Sequence, residues 1–216
     1  MIERTSFILE HCRGKKVLNV GCTNSPMMMR RIINNTQLHL NLQEVTDNLY
    51  GLDLSEKDVE YLRQEHHVRN LYIGDCERID TYFPDDKFEV VVAGELIEHL
   101  SNPGLFLTST KSILAEEGIL IITVPNGPAF RRGLSSLLRR ETVNAGHNFY
   151  FSKMTITRFL LRLGYEVEEI YGYRVSDKKH RLSYALDKFA GLFSEFACDG
   201  IALTAKMYSG PIINPQ

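Results

Sequence analysis

Short apolar runs, each halted by a glycine or an acid, recur along the chain between longer stretches with helical spacing. Val17, Leu18 and Val20 read as a strand buried on both faces, and Gly21 stops it with a residue able to turn the backbone sharply. Leu49 to Ser55 reads as a second strand ending in an acid, with Ser55 capping a helix through about Gln64. Asn70 to Ile73 gives a third strand, stopped by Gly74-Asp75, and Phe88 to Ala93 a fourth, stopped by Gly94-Glu95. Ile119 to Val124 makes a fifth strand, closed by Pro125-Asn126, and Tyr165 to Tyr171 and Ile201 to Met207 supply the last two.

Between these runs the pattern predicts helices. Ile2 to Cys12 is one, ended by Gly14. Met27 to Ile33 is a short one, with Pro26 suited to its first position. Pro103 to Leu114 precedes Gly118, and Ser152 to Leu163 carries Ile156, Phe159, Leu160 and Leu163 before Gly164. A further amphipathic helix is expected near Leu182 to Phe193, whereas Asn34 to Asn48 receives no assignment. Repeated strand–helix units with short connections imply an α/β architecture: a mostly parallel sheet with helices on both faces.

The chain's 216 residues are near the upper end of what one core supports, so a single domain over 1–209 with a loose tail at 210–216 is expected. A formal net charge of -2 offers no global basic field for nucleic acid. Cys12, Cys22, Cys76 and Cys198 are far apart and form no CxxC pair, which suits reduced thiols in a cytoplasmic protein and argues against a zinc site. The first residues lack the plan of a signal peptide, and no apolar run approaches the roughly 18 residues that span a bilayer.

In open parallel sheets ligands bind beyond the carboxyl ends of the strands, and the unusual polar residues of this chain fall there. Asp53 is placed to accept hydrogen bonds from two vicinal ribose hydroxyls, with a helix-flanking acid as the alternative. Asp75 can accept from an adenine amino group, with Cys76 supplying a backbone N–H to a ring nitrogen; a plain turn aspartate is the alternative. His66-His67 has no acid or cysteine at ligand spacing and reads as surface, so no metal site is expected.

Val17 to Cys22, the Gly51-Leu-Asp-Leu-Ser run, Gly74-Asp-Cys-Glu, the Phe88 to Leu100 segment with its Glu-His-Leu end, and Gly118 to Asn126 together resemble the ordered motifs of class I S-adenosylmethionine-dependent methyltransferases. The resemblance covers roughly residues 10 to 173 and is closest to the small-molecule, lipid-precursor and glycan enzymes. It implies a Rossmann-like seven-stranded sheet with the last strand antiparallel, and S-adenosyl-L-methionine as cofactor. By the same resemblance Gly21 with its neighbours Asn19 and Cys22 faces the methionine part, Asp53 with Leu54 the ribose side, Asp75 and Cys76 the adenine, and Glu95 the methionyl end. The chain departs from the family where Asn19 replaces an acid and Thr23 and Ser25 replace glycines.

A sulfonium methyl is already electrophilic, so the protein has mainly to align the acceptor atom, and a base can assist. His99 and His147 are the candidates; each is read either as a structural histidine or as a catalytic one. Residues 126–148 are expected to form a lid-like insertion in which Phe130, Leu134, Leu137 and Leu138 recur at helical spacing, bracketed by Arg131, Arg132, Arg139 and Arg140. Asn126, Arg131, Arg132 and Tyr150 are the expected substrate contacts; the arginines suit an anionic group, with a solvated helix face or shallow contact with a membrane surface as the alternatives. The expected activity is methyl transfer to a small molecule or glycan precursor, most readily at oxygen. The rivals are a non-catalytic methyltransferase-like binding domain and a nicotinamide-dependent oxidoreductase, the latter disfavoured because the first turn lacks GxGxxG.

Overall fold

A computed structural model describes residues 1–129, 144–174, 198–208 and 210. The expected lid helix with Phe130, Leu134, Leu137, Leu138 and Arg131, Arg132, Arg139 and Arg140, the helix near Leu182 to Phe193, and the tail beyond 210 lie outside the described residues.

The strands are β1 (Val17–Val20), β2 (Leu49–Asp53), β3 (Leu71–Ile73), β4 (Phe88–Gly94), β5 (Leu114–Pro125), β6 (Tyr165–Tyr173) and β7 (Gly200–Met207). The helices are α1 (Arg4–Cys12), α2 (Met28–Ile33), α3 (Leu38–Gln43), α4 (Glu56–Glu65), α5 (Pro103–Ile113) and α6 (Lys153–Arg162), with a 3₁₀ turn at Cys76–Thr81. They form one seven-stranded sheet in the order β3-β2-β1-β4-β5-β7-β6. Strands β1 to β5 pair in parallel, and β7 runs antiparallel to both β5 and β6. The mostly parallel sheet with an antiparallel last strand is the expected architecture.

Alternation along the central strands divides the core. Leu18, Val20, Val91, Ala93, Leu120, Ile122 and Val124 face Phe106 and Leu107 of α5 and Ile156 and Leu160 of α6. Val17, Val90, Val92, Ile119 and Ile121 face Phe7 and Ile8 of α1 and Leu38 and Leu42 of α3. A period of two, read on buried strands, accounts for both layers. Helices α2 and α4 close a third cluster of Cys22, Met28, Val59, Leu62, Val68 and Leu71.

Four features differ from the sequence reading. Pro26 lies ahead of α2, whose N-cap is Met27, and does not take its first position. Helix α3 fills part of the unassigned Asn34 to Asn48 stretch; Gln37 caps it, its side chain accepting from the Leu40 N–H at 2.8 Å. Ser55 takes the N-cap position of α4 without a side-chain capping bond, and its own N–H is donated to Asp53 Oδ1 at 3.0 Å. Strand β5 begins at Leu114 instead of Ile119, pairing Leu114 with Phe88 across an irregularity before Val90. Gly118 lies inside this extension, where a Cβ would stand 2.8 Å from the Phe88 carbonyl oxygen and 2.9 Å from the Ala115 nitrogen.

Gly118→Ala is expected to lower stability by roughly 1–3 kcal/mol, since only backbone atoms can give way. Gly104→Ala, in the first turn of α5 with nothing within 4 Å of the added carbon, is expected to raise it by about 0.5–1 kcal/mol. Urea midpoints of the two variants check both signs.

Candidate active site

The turn after β1 is held by β2. Gly21 has a φ of 72°, the left-handed region that an L side chain adopts only with strain, and its N–H donates to the Leu52 carbonyl at 2.8 Å. The Cys22 N–H donates to the same carbonyl at 3.3 Å, while the Cys22 side chain is buried against α2 and α4. Asp53, at the tip of β2, closes the turn: its Oδ2 accepts from the Thr23 N–H at 2.9 Å and the Thr23 hydroxyl at 2.8 Å. Its Oδ1 accepts from the Ser55 N–H. A carboxylate offers about four acceptor positions, so these three bonds leave room for one more donor.

Asn19 lies in the same turn's approach but on the α1/α3 face of β1. Its side chain is buried, with Nδ2 3.3 Å from Nδ1 of His39 on α3. Burial pushes the His39 imidazole down to about 3, so this partner is neutral. Leu54 stands 69% exposed just beyond Asp53, an apolar side chain left open at the strand tips.

One strand further out, Gly74 donates its N–H to the Asp53 carbonyl at 3.0 Å, which places Asp75 beside the β2 tip. Asp75 caps the 3₁₀ turn, its Oδ1 accepting from the Glu77 N–H at 2.9 Å, and its own N–H donates to the Tyr82 hydroxyl at 3.1 Å. Cys76 is buried, and desolvation pushes its thiol up to about 12, so it stays protonated.

Across the sheet, Glu95 follows β4 in a left-handed conformation at φ 57°, its N–H donated to Thr123. A left-handed bend in a non-glycine residue is a strain that clusters at functional sites. Its carboxylate accepts from the Tyr173 hydroxyl. Arg4 donates through Nε to Thr123 Oγ1 at 2.9 Å, and its guanidinium occupies the space a Cβ on Gly94 would need. Arg31 is drawn down by burial and by Arg4's charge, while Glu95 opposes that shift. One carboxylate and two guanidinium groups therefore share this corner. Arg4, Arg31 and Tyr173 were not among the residues expected from sequence, since they lie outside every quoted motif.

The segment after Glu95 meets the loop before α6. The main-chain carbonyl of Glu98 accepts from the N–H groups of Asn148 and Phe149, at 2.7 and 3.1 Å. The Asn148 side chain donates to the carbonyls of His99 and Leu100 at 2.9 and 3.2 Å. His99 Nδ1 lies 2.7 Å from the Gly146 carbonyl. The rings of His99 and His147 meet edge to face with centroids 4.6 Å apart, and Tyr150 follows 5.7 Å from His147. Glu98 is fully buried; neither carboxylate oxygen has a hydrogen-bond partner among the described residues. Burial, then the charge of Glu95, pushes its carboxyl up to about 8. Glu98 was also missed, although it sits three residues after Glu95 in the quoted run.

Of the expected substrate contacts, Tyr150 borders this cluster and Asn126 is buried, its Nδ2 donating to the Cys198 carbonyl at 2.9 Å. Arg131 and Arg132 lie outside the described residues.

The fold is shared with solved methyltransferases. A crystal structure of a SAM-dependent methyltransferase from Archaeoglobus fulgidus superposes with a TM-score of 0.62 at 15% identity, covering 94% of this chain and 91% of that one. This likeness defines the fold: a Rossmann-like α/β architecture. The chain belongs to the family described as "Methyltransferase domain", whose model matches residues 1–170. It is 25% identical over 165 residues to a Mycolicibacterium smegmatis protein whose name reads "Probable S-adenosylmethionine-dependent methyltransferase", covering 76% of this chain and 57% of that protein. It is 25% identical over 174 residues to a ubiquinone biosynthesis O-methyltransferase of Glaesserella parasuis, covering 74% and 69%. The chain thus spans a little over half the length of the first of these relatives. The cofactor of this family is S-adenosylmethionine.

Asp53→Ala is expected to weaken S-adenosylmethionine binding by about 1.5–3 kcal/mol, the worth of hydrogen bonds to a charged group. Thr23→Val, which removes one tie of the turn and keeps the carboxylate, is expected to weaken it less; titration calorimetry on both variants gives the order.

Proposed function

We propose that the protein transfers the methyl group of S-adenosylmethionine to an oxygen of a small-molecule or glycan-precursor acceptor. The observation that carries this reading is the pair of carboxylates, Asp53 and Asp75, at the tips of adjacent parallel strands. Asp53 closes the bend after β1 through Thr23, and Gly74, just before Asp75, is tied to the Asp53 carbonyl. In this reading Asp53 accepts from one ribose hydroxyl with its remaining capacity, Leu54 borders the ribose, Cys76 borders the adenine, and Asp75 accepts from the adenine amino group.

The methionyl end of the cofactor is zwitterionic, and the β4 corner has both signs of charge. Glu95 would face its ammonium group, supplying the acid that Asn19 lacks, while Arg4 and Arg31 would face its carboxylate. The acceptor would lie toward His99, His147 and Tyr150, and its hydroxyl proton would be lost beside that cluster. Arg131 and Arg132 remain the candidates for an anionic group on the acceptor. We read the chain as one methyltransferase domain over 1–209 with a lid-like insertion at 126–148. We place it in the cytoplasm, in keeping with its four reduced, buried cysteines. No described helix is long and apolar enough to cross a membrane.

A second reading, a methyltransferase-like binding domain without catalysis, is favoured by Asn19, whose side chain is turned to His39 and carries no charge. Calorimetry separates the two: the enzyme reading requires saturable S-adenosylmethionine binding, and its absence in folded protein supports the binding domain. With hydroxyl, amine and thiol acceptors offered in parallel, mass spectrometry is expected to find the methyl ether; methylation of amines alone would overturn the choice of oxygen. His147→Ala is expected to leave cofactor affinity unchanged and to slow transfer by about 10²-fold or more.

A further inference from the structure

We propose that Glu98, His99 and His147 form a binding site for a divalent first-row metal ion, with Mn²⁺ and Zn²⁺ as its natural probes. Each residue offers one ligand atom, and the three atoms lie within 4.8 Å of one another, the one such cluster among the described residues. Ligands about 2.0–2.2 Å from an ion stand roughly 3–3.5 Å apart, so side-chain rotations that close the cluster by little more than an ångström complete the site.

Two further observations point to a cation. Glu98 is buried with both carboxylate oxygens lacking a hydrogen-bond partner among the described residues, and Glu95 adds a second acid nearby. Burying a carboxyl with neither oxygen hydrogen-bonded is costly, and a cation bound there would relieve that cost. The histidine His99 is already oriented: its Nδ1 sits 2.7 Å from the Gly146 carbonyl, which sets the proton on Nδ1 and leaves the Nε2 lone pair for a metal. A carbonyl behind a ligating imidazole is the usual outer-shell arrangement. The loop carrying His147 is fastened to the segment carrying Glu98 and His99 by the four hydrogen bonds of Asn148 and Phe149, so the spacing is built into the backbone.

The donor set selects the ion. Two imidazoles and one carboxylate, without thiolate, suit Mn²⁺, Fe²⁺, Co²⁺ or Zn²⁺ better than Ca²⁺, which takes six or more oxygens. Three protein ligands leave coordination positions open. Resting on the proposed methyl transfer, those positions take the acceptor hydroxyl, and the ion's charge lowers its pKa. The O–H proton passes to solvent, the oxygen's electron pair forms the new C–O bond to the methyl carbon, and the C–S bond breaks with its pair staying on sulfur. The products are a methyl ether, a proton and the neutral thioether.

The metal site is tested without cofactor or acceptor. Protein freed of metal by a chelator is titrated with MnCl₂, free Mn²⁺ being read by electron paramagnetic resonance, and the titration is repeated calorimetrically with ZnCl₂. One saturable site is expected, weakened at least tenfold by His99→Ala, by His147→Ala and by Glu98→Gln, and unchanged by His67→Ala. His99 is exposed, so its variant tests the site without disturbing the core. Mn²⁺ should also raise the melting temperature of the wild type and not that of His99→Ala. Absence of saturable binding by folded wild-type protein, or binding that survives both His99→Ala and His147→Ala, overturns the site. Metal binding without S-adenosylmethionine binding would keep the site and overturn its role in methyl transfer; the converse would overturn the site alone.

Discussion

The constraint from which the rest follows is the position of β1. Its four residues are all buried, and it is paired in parallel with β2 on one side and β4 on the other. Parallel pairing on both edges forbids a tight reversal, so each strand must leave the sheet and return through a crossover. The carboxyl ends of β1, β2, β3 and β4 therefore collect on one edge of the sheet. The strand order also changes direction between β1 and β4, which opens a crevice there. Asp53, Asp75 and Glu95 reach the same edge because each immediately follows or ends such a strand. The chemistry of the site is thus a consequence of strand termination more than of any one loop.

Much of this was legible in the sequence, and the failures have specific causes. The strands were readable because a parallel strand buried on both faces becomes a dense apolar run, as in Phe88 to Ala93 and Ile119 to Val124. Helix α3 was not, because its buried face includes His39, a polar residue that breaks the apolar period and whose Nδ1 meets Asn19 on β1. The extension of β5 was obscured by Glu116, Glu117 and Gly118, whose exposed or absent side chains look like a turn. The 3₁₀ turn at Cys76–Thr81 buries only Cys76 and Ile79, too little to leave a period. In the site, acids at strand tips could be read from local order, whereas Arg4 meets Thr123 across 119 positions and Tyr173 meets Glu95 across 78. No local pattern encodes such pairs.

The exchange of an acid for Asn19 has a structural counterpart at the opposite tip. A charged residue at position 19 would be driven into the α1/α3 layer beside a neutral imidazole, where desolvation penalises ionisation. An amide fits that environment, since it can bond to His39 without carrying charge. The negative charge near the bend comes instead from Glu95, which is only partly buried and is balanced by Arg4 and Arg31. The acid beside the crevice is thus carried just past the fourth strand, and the first strand contributes an uncharged amide to the core.

Glu98 shows how the fold and the site share one residue. Its main chain anchors the loop that carries His147, accepting two N–H bonds, while its side chain remains a buried acid unpartnered among the described residues. If the residue served only to hold the loop, any side chain would do, because the anchoring group is a backbone carbonyl. An apolar side chain of similar size would hold the loop equally well and avoid the cost of burying a carboxyl beside Glu95. The carboxyl therefore adds nothing to the anchoring and detracts from stability. A destabilising group placed next to two histidines and the strained bend at Glu95 belongs to the chemistry of the site, and the loop's attachment is what keeps it there.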